Sequence, residues 1–253
     1  MYTKESLMNE LIAMGIRSDD LLTVHTSLRA VGEIDPAGRT GAHVMIDALR
    51  DCVSDGLLVI PSHTFRNIRE DGQVFNIRKT MPCIGTLPCV AVELANQAVD
   101  SGDFTCIRSM HVSHSVVAFG KSAREFTEAD RYTKTRTPIT GSYGKLYHMG
   151  GKILLLGVDL SRNTFIHMVD ECIDDTVYGS VVIEVTDYDG TVGQREELIT
   201  RGPAAASFVR YQQPLEAAGA IVHGKIGDAS SMLVDARKCF ETVMRIRRSE
   251  QSI

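Results

Sequence analysis

His167, Asp170, Glu171 and Asp174 fall at i, i+3, i+4 and i+7, so on a helix all four project from one stripe. That stripe sets a titratable base beside three carboxylates. A neutral imidazole accepts a proton from a reacting group, and a nearby acid orients it and raises its basicity. Asp170 or Glu171 is the acid in reach of the imidazole, and Asp174 and Asp175 would add a field that draws cations. The chemistry that fits is deprotonation of a cationic, amine-bearing substrate. A plainer reading makes His167 a helix-surface residue among solvated acids. The residues before it favour the functional one. Ile153–Leu156 is an apolar run between glycines and predicts a strand buried on both faces. Open α/β sheets hold ligands just beyond the carboxyl ends of such strands. Ser161 or Asn163 is the expected N-cap of the helix, and Ile166, Val169, Cys172 and Ile173 take its opposite side.

Two more predicted strands end in similar clusters, VHTS (Val24–Ser27) and PSHT (Pro61–Thr64), matching SRNT-FIH after Leu156. Hydroxyls and imidazoles at three equivalent strand ends point to one shared cleft. His63 is open between a buried hydrogen-bonded residue and a site group. His111 and His114 form an HxxH, but no third ligand has a zinc-type spacing, so no metal is expected. A loop holding a ligand through Arg108, His111 and Ser115 suits that segment better.

Positioning these residues requires alternating strands and helices. Helices are predicted over 4–14, 41–53, 85–99, 122–129 and 231–245, with strands over 21–24, 57–61, 115–119 and 153–156. Segments 181–185 and 194–199 alternate around Tyr188-Asp189-Gly190, as in an antiparallel hairpin. The polar, basic loop Phe65–Cys83 is long enough to serve as a lid or binding loop. The expected fold is α/β: a central mixed sheet flanked by helices, with antiparallel strands added in the C-terminal third. Residues 1–253 read as one domain, with an antiparallel subregion at about 180–225.

A net charge of −5 over 253 residues argues against nucleic acid as partner, and Arg245, Arg247 and Arg248 read as a solvated helix end. The six cysteines lack CxxC pairing and suit reduced thiols in a cytosolic protein. The N-terminal stretch is an amphipathic helix carrying acids rather than a signal peptide. No apolar run approaches the ~20 residues that cross a bilayer. A soluble, cytoplasmic protein is expected, without a membrane partner. A GxSxG elbow, a P-loop and a GxGxxG fingerprint are all missing. Cys89 and Cys106 sit in apolar sequence that does not favour a thiolate.

The stretches VHTSLRAVG, GLLVIPSHT, RSMHVSHSVVAFG, GSYGKLY and GGKILLLGVDLSRNTFIH, in this order, resemble the aminoglycoside 3-N-acetyltransferase (antibiotic N-acetyltransferase) family. They span about Leu21 to Ile173. The resemblance implies direct acetyl transfer from acetyl-coenzyme A to the 3-amino group of an aminoglycoside, without an acyl-enzyme and without a metal. It also implies that Thr26, Ser27, Leu28 and Arg29 hold coenzyme A phosphates and that Ser115 and Val116 line the pantetheine end. His167 and Asp170, the acid three residues later, would face the amine. Apart from the resemblance, His167 suits the role of base, and a backbone N–H or the Thr164 hydroxyl could donate to the carbonyl oxygen. His63, His111, Glu171 and Asp174 are the expected acceptor contacts. The chain departs from the family pattern at Asp170 (usually Glu), His111-Val112 (usually His-Pro), Gly141-Ser142-Tyr143 (usually Gly-Ser-Pro) and Ala129-Asp130-Arg131 (often with a histidine). These leave open which of Asp170 and Glu171 serves His167. They also leave open a non-antibiotic amine acceptor, a coenzyme A or amine binder with decayed catalysis, and a thioester hydrolase. A monomer or a homodimer fits equally.

Overall fold

The computed structural model describes residues 1–66, 72–200 and 204–251. Strands β1 (Leu21–Thr26) and β2 (Leu57–Pro61) run parallel, with Leu22 opposite Leu58. Their side chains alternate between two cores. Leu22, Val24, Leu58 and Ile60 pack with helices α1 (Lys4–Ala13) and α3 (Gly41–Cys52) on one face. Leu21, Leu57 and Val59 face the other. A sheet covered on both sides buries every position of its middle strands, which explains the unbroken apolar runs. Helix α1 is fixed at its start by a reciprocal Thr3–Ser6 capping box.

A short helix α2 (Leu28–Val31) follows β1, and β3 (Val74–Asn76) follows β2 at a distance. Helix α4 (Thr86–Asp100) joins the α1–α3 layer. Strand β4 (Cys106–Arg108) takes the sheet edge and pairs antiparallel with β5 (Val116–Phe119), which runs antiparallel beside β2. Helices α5 (Ala123–Glu128) and α6 (Ser142–Met149) cross to the second face. Strand β6 (Lys152–Leu156) then pairs with β1 in parallel, Thr26 opposite Leu156. Helix α7 (Phe165–Ile173) closes the second layer with α8 (Gln212–Ala217) and α9 (Ala236–Gln251).

The last strands, β9 (Ile221–Ile226) and β10 (Ala229–Asp235), add antiparallel on β6 and give the order β4-β5-β2-β1-β6-β10-β9. The expected mixed sheet with antiparallel C-terminal additions is what forms. The hairpin around Tyr188 is also present, as β7 (Val177–Thr186) and β8 (Val192–Thr200). It belongs to a separate three-stranded sheet, β3-β7-β8, with its own core of Phe75, Ile77, Met110, Val112, Ile183 and Val185.

Two expectations change. Ser231–Asp235 is strand, not helix, because Met232, Leu233 and Val234 are claimed by pairing between β6 and β9. The residues after Leu156 form a 3₁₀ turn, Leu160–Arg162, capped by Asp159; α7 begins after Thr164, without a side-chain cap from Ser161 or Asn163. Residues 67–71 of the 65–83 loop lie outside the described residues.

Candidate active site

The parallel strands β2, β1 and β6 point their carboxyl ends the same way, and β1 lies at the point where the strand order reverses. A cavity of about 790 Å³ opens at those ends. Its wall takes Thr26, Ser27, Leu28 and Arg29 from β1 and the start of α2, His63 from the end of β2, Thr164 from just before α7 and His167 from α7. Gly157 lets the chain leave β6 there. Its φ is +67°, and a Cβ would stand 2.6 Å from the Ala30 methyl group.

Burial sets the protonation of the imidazoles. Loss of solvation holds His167 and His25 down at about 4, and pushes His63 and His114 well below the ordinary histidine range. All four are neutral at pH 7. His63 Nε2 and the Tyr143 hydroxyl are hydrogen-bonded at 2.8 Å, and burial raises the phenol so that it keeps its proton. Tyr143 is carried by α6, whose first turn is pinned to the buried Asp130 by the Ser142 N–H and hydroxyl, both at 2.7 Å.

The stripe on α7 does not act as a unit. His167 Nδ1 stands 4.0 Å from Asp170 Oδ2, beyond hydrogen-bond length, and its ring meets the Phe208 ring edge-on at 4.7 Å. Asp170 Oδ1 accepts from Arg247 Nε at 3.1 Å, so this arginine is not part of a solvated helix end. Desolvation still raises the Asp170 carboxyl to about 6, against the pull of Arg247. Glu171 turns away and accepts from the Thr135 hydroxyl at 2.7 Å and from the Thr137 N–H and hydroxyl at 3.0 and 3.2 Å. Asp174 accepts from the Thr176 N–H at the end of the helix. Neither lines the cavity.

His111, Ser115 and Val116 also lie outside the cavity wall. Both His111 nitrogens are engaged: Nδ1 accepts from the Ser113 and His114 N–H groups, and Nε2 donates to the Thr135 carbonyl at 2.9 Å. Ser115 ties β2 to β5 by donating to the Ser62 carbonyl at 2.8 Å, and Val116 is buried in the second core. Arg108 supports this region from within. Its guanidinium donates to the carbonyls of Ile77, Thr80 and Ser62 and to the Ser115 hydroxyl, over the Phe75 ring. Burial lowers it to about 10.

Several wall residues have no counterpart in the sequence reading. Arg66 and Arg162 join Arg29 around the cavity, and among the described residues no carboxylate lines it. Asn163 is buried with both amide atoms lacking a protein partner, as are His25 Nε2 and Thr26 Oγ1. Unpartnered buried polar atoms in a cavity wall are groups a ligand can satisfy. SRNT belongs to one of the three strand-end clusters expected to share a cleft, but its spacing gives no sign that the Asn163 amide is buried without a protein partner. No group of three or more potential metal ligands exists among the described residues, and no helix among them is long and apolar enough to cross a membrane.

A family model described as aminoglycoside 3-N-acetyltransferase matches residues 23–247. An aminoglycoside N(3)-acetyltransferase III from Serratia marcescens is 31% identical over 187 residues, 67% of this chain and 64% of that protein. The match spans less than two thirds of the length of the first sequence relatives, 64% and 62%. The YokD protein from Bacillus subtilis has a similar structure, with a TM-score of 0.80 at 22% identity over 99% of this chain and 95% of that one. AAC-IIIb in binary complex with CoASH gives a TM-score of 0.76 at 25% identity over 98% and 97%.

Proposed function

The chain belongs to the aminoglycoside 3-N-acetyltransferase family, and from that premise we propose that it transfers the acetyl group of acetyl-coenzyme A directly to an amine, the 3-amino group of an aminoglycoside being the first candidate. The observation that carries this reading is the cavity shared by three strand ends, where Arg29, Arg66 and Arg162 share a wall with His167. Three guanidinium groups suit the phosphates of coenzyme A. The Thr26 hydroxyl, without a protein partner, is free to contact them, and Ser27, Leu28 and Arg29 add a hydroxyl and backbone N–H groups. The solved AAC-IIIb complex with CoASH supports coenzyme A as the ligand.

Acetyl-coenzyme A brings the acetyl group as a thioester. Thr164 lines the cavity, and in this reading its hydroxyl donates to the carbonyl oxygen as that oxygen gains charge. His167 enters the reaction neutral and accepts a proton from the attacking nitrogen, and Phe208 fixes the plane of its ring. Holding amine and thioester together in one enclosed space provides much of the acceleration. Six free thiols agree with a cytoplasmic setting, where acetyl-coenzyme A is available.

The arginine-lined wall, with no carboxylate among the described residues, favours a second reading of the acceptor: an amine less cationic than an aminoglycoside. Thiol release from acetyl-coenzyme A in the presence of an aminoglycoside panel and simple monoamines separates the two. Release with aminoglycosides, with the acetylated product seen by mass spectrometry, supports the first. Release with monoamines alone supports the second, and no release with any amine removes the transferase reading.

A further inference from the structure

An aliphatic amine is largely an ammonium at neutral pH. Acetylating it forms the N–C bond, breaks the C–S bond and strips two protons from nitrogen. One of them ends on the departing thiolate and the other must leave the cavity. His167 gives one proton a destination. Building on the transferase reading above, we infer that His114 is the second proton acceptor of the cavity, with its Nε2 kept as a free base by Ser113 and Glu197.

Donor counting fixes the tautomer. The Ser113 hydroxyl has one proton and donates it to Glu197 Oε1 at 2.6 Å. Ser113 Oγ therefore accepts from His114 Nδ1 at 2.8 Å, which puts the ring proton on Nδ1 and leaves a lone pair on Nε2. The ring belongs to the cavity wall, 4.6 Å from the His63 ring and stacked on Phe65 at 5.6 Å. Its backbone is held just as firmly. The His114 N–H donates to His111 Nδ1 at 3.1 Å, and the Thr64 N–H to the Ser113 carbonyl at 2.9 Å.

When Nε2 gains a proton, the new charge is answered through Nδ1–H, the serine hydroxyl and the Glu197 carboxylate, whose Oε2 is buried without a protein partner. Burial opposes that charge first, and the nearby Arg136 guanidinium adds to it. The proton is thus passed on rather than stored. His114 is the catalytic member; Ser113 and Glu197 position it.

His114→Asn keeps an Nδ donor for Ser113 and removes the base. It should lower kcat about 10²-fold, with the acetyl-coenzyme A Kd within about twofold by calorimetry. Glu197→Gln still accepts from Ser113 but lacks the charge. It should lower kcat about tenfold and move the acid limb of the kcat–pH profile to lower pH. The ¹⁵N spectrum of wild-type His114 at pH 7 should show Nδ1 protonated and Nε2 bare. An active wild type matched by His114→Asn at every pH overturns this inference and leaves the transferase reading standing. A wild type inactive on every amine overturns both. A protonated Nε2 overturns the inference whatever the rates, and decides it even if His114→Asn does not fold.

Discussion

Arg247 Nε donates to Asp170 Oδ1 across 3.1 Å, while Asp170 Oδ2 has no hydrogen-bond partner and stands 4.0 Å from His167. The carboxylate therefore ties α9 to α7 more firmly than it holds the imidazole. Breaking one side of a buried pair leaves an uncompensated charge. Arg247→Met is expected to cost about 3 kcal/mol, read as a lower Tm. Adding Asp170→Asn should recover most of the loss, and a double variant no more stable than Arg247→Met would show that the pair is not the cause.

His167→Ala is expected to lower kcat by roughly 10²–10⁴-fold, with little change in coenzyme A affinity. Normal turnover without this imidazole would remove it as the base.

Stability should depend on pH in a direction the buried imidazoles determine. His25 and His167 titrate near 4 in the fold, against 6.5 when unfolded, and His63 and His114 shift the same way. The unfolded chain binds more protons over that interval, so their stabilisation is present above about pH 6.5 and lost as pH falls towards 4. Asp170 opposes them. Its carboxyl is raised from 3.8 to about 6, so its contribution declines as pH rises through that window. Four groups outweigh one, and urea unfolding should show net destabilisation from pH 6.5 to 4. His25→Leu, which removes a ring whose Nε2 lacks a partner, should flatten that slope.

Arg162→Gln is expected to raise the KM for acetyl-coenzyme A severalfold and to reduce its dependence on salt, because a charge facing phosphates is screened by added ions. An unchanged salt dependence would mean that this guanidinium does not meet the phosphates.

Gly157→Ala should cost roughly 1–2 kcal/mol from its positive φ alone. The 2.6 Å approach to Ala30 adds to this and should displace α2. Thermal melts and acetyl-coenzyme A binding measured together test it. A melt like the wild type's would show that the strand exit tolerates a side chain.

The layers of this fold were legible because β2 and β6 are apolar runs buried on both faces, and β1, though it alternates Thr23 and His25 with Leu22 and Val24, opens on two leucines. Strand β10 was not. Ser231–Val234 is too short an apolar run to separate strand from helix, and the pairing that decides it lies on β6 and β9. Helical spacing put His167, Asp170 and Glu171 on one stripe, and they do share one. Spacing carries no information on distant partners, so Arg247 on Asp170 and the Thr135–Thr137 segment on Glu171 were invisible. His114 was seen only as half of an HxxH. Its meaning depends on Glu197, which the fold delivers from the other sheet.

The position of β10 between β6 and β9 has a cost during synthesis. Until residues 229–235 have been made, β6 is flanked by β1 on one side only, and Leu154–Leu156 present a bare, sticky backbone margin on the other. Nascent chains stalled before that point should clump or recruit chaperones. Those stalled after it should stay dispersed.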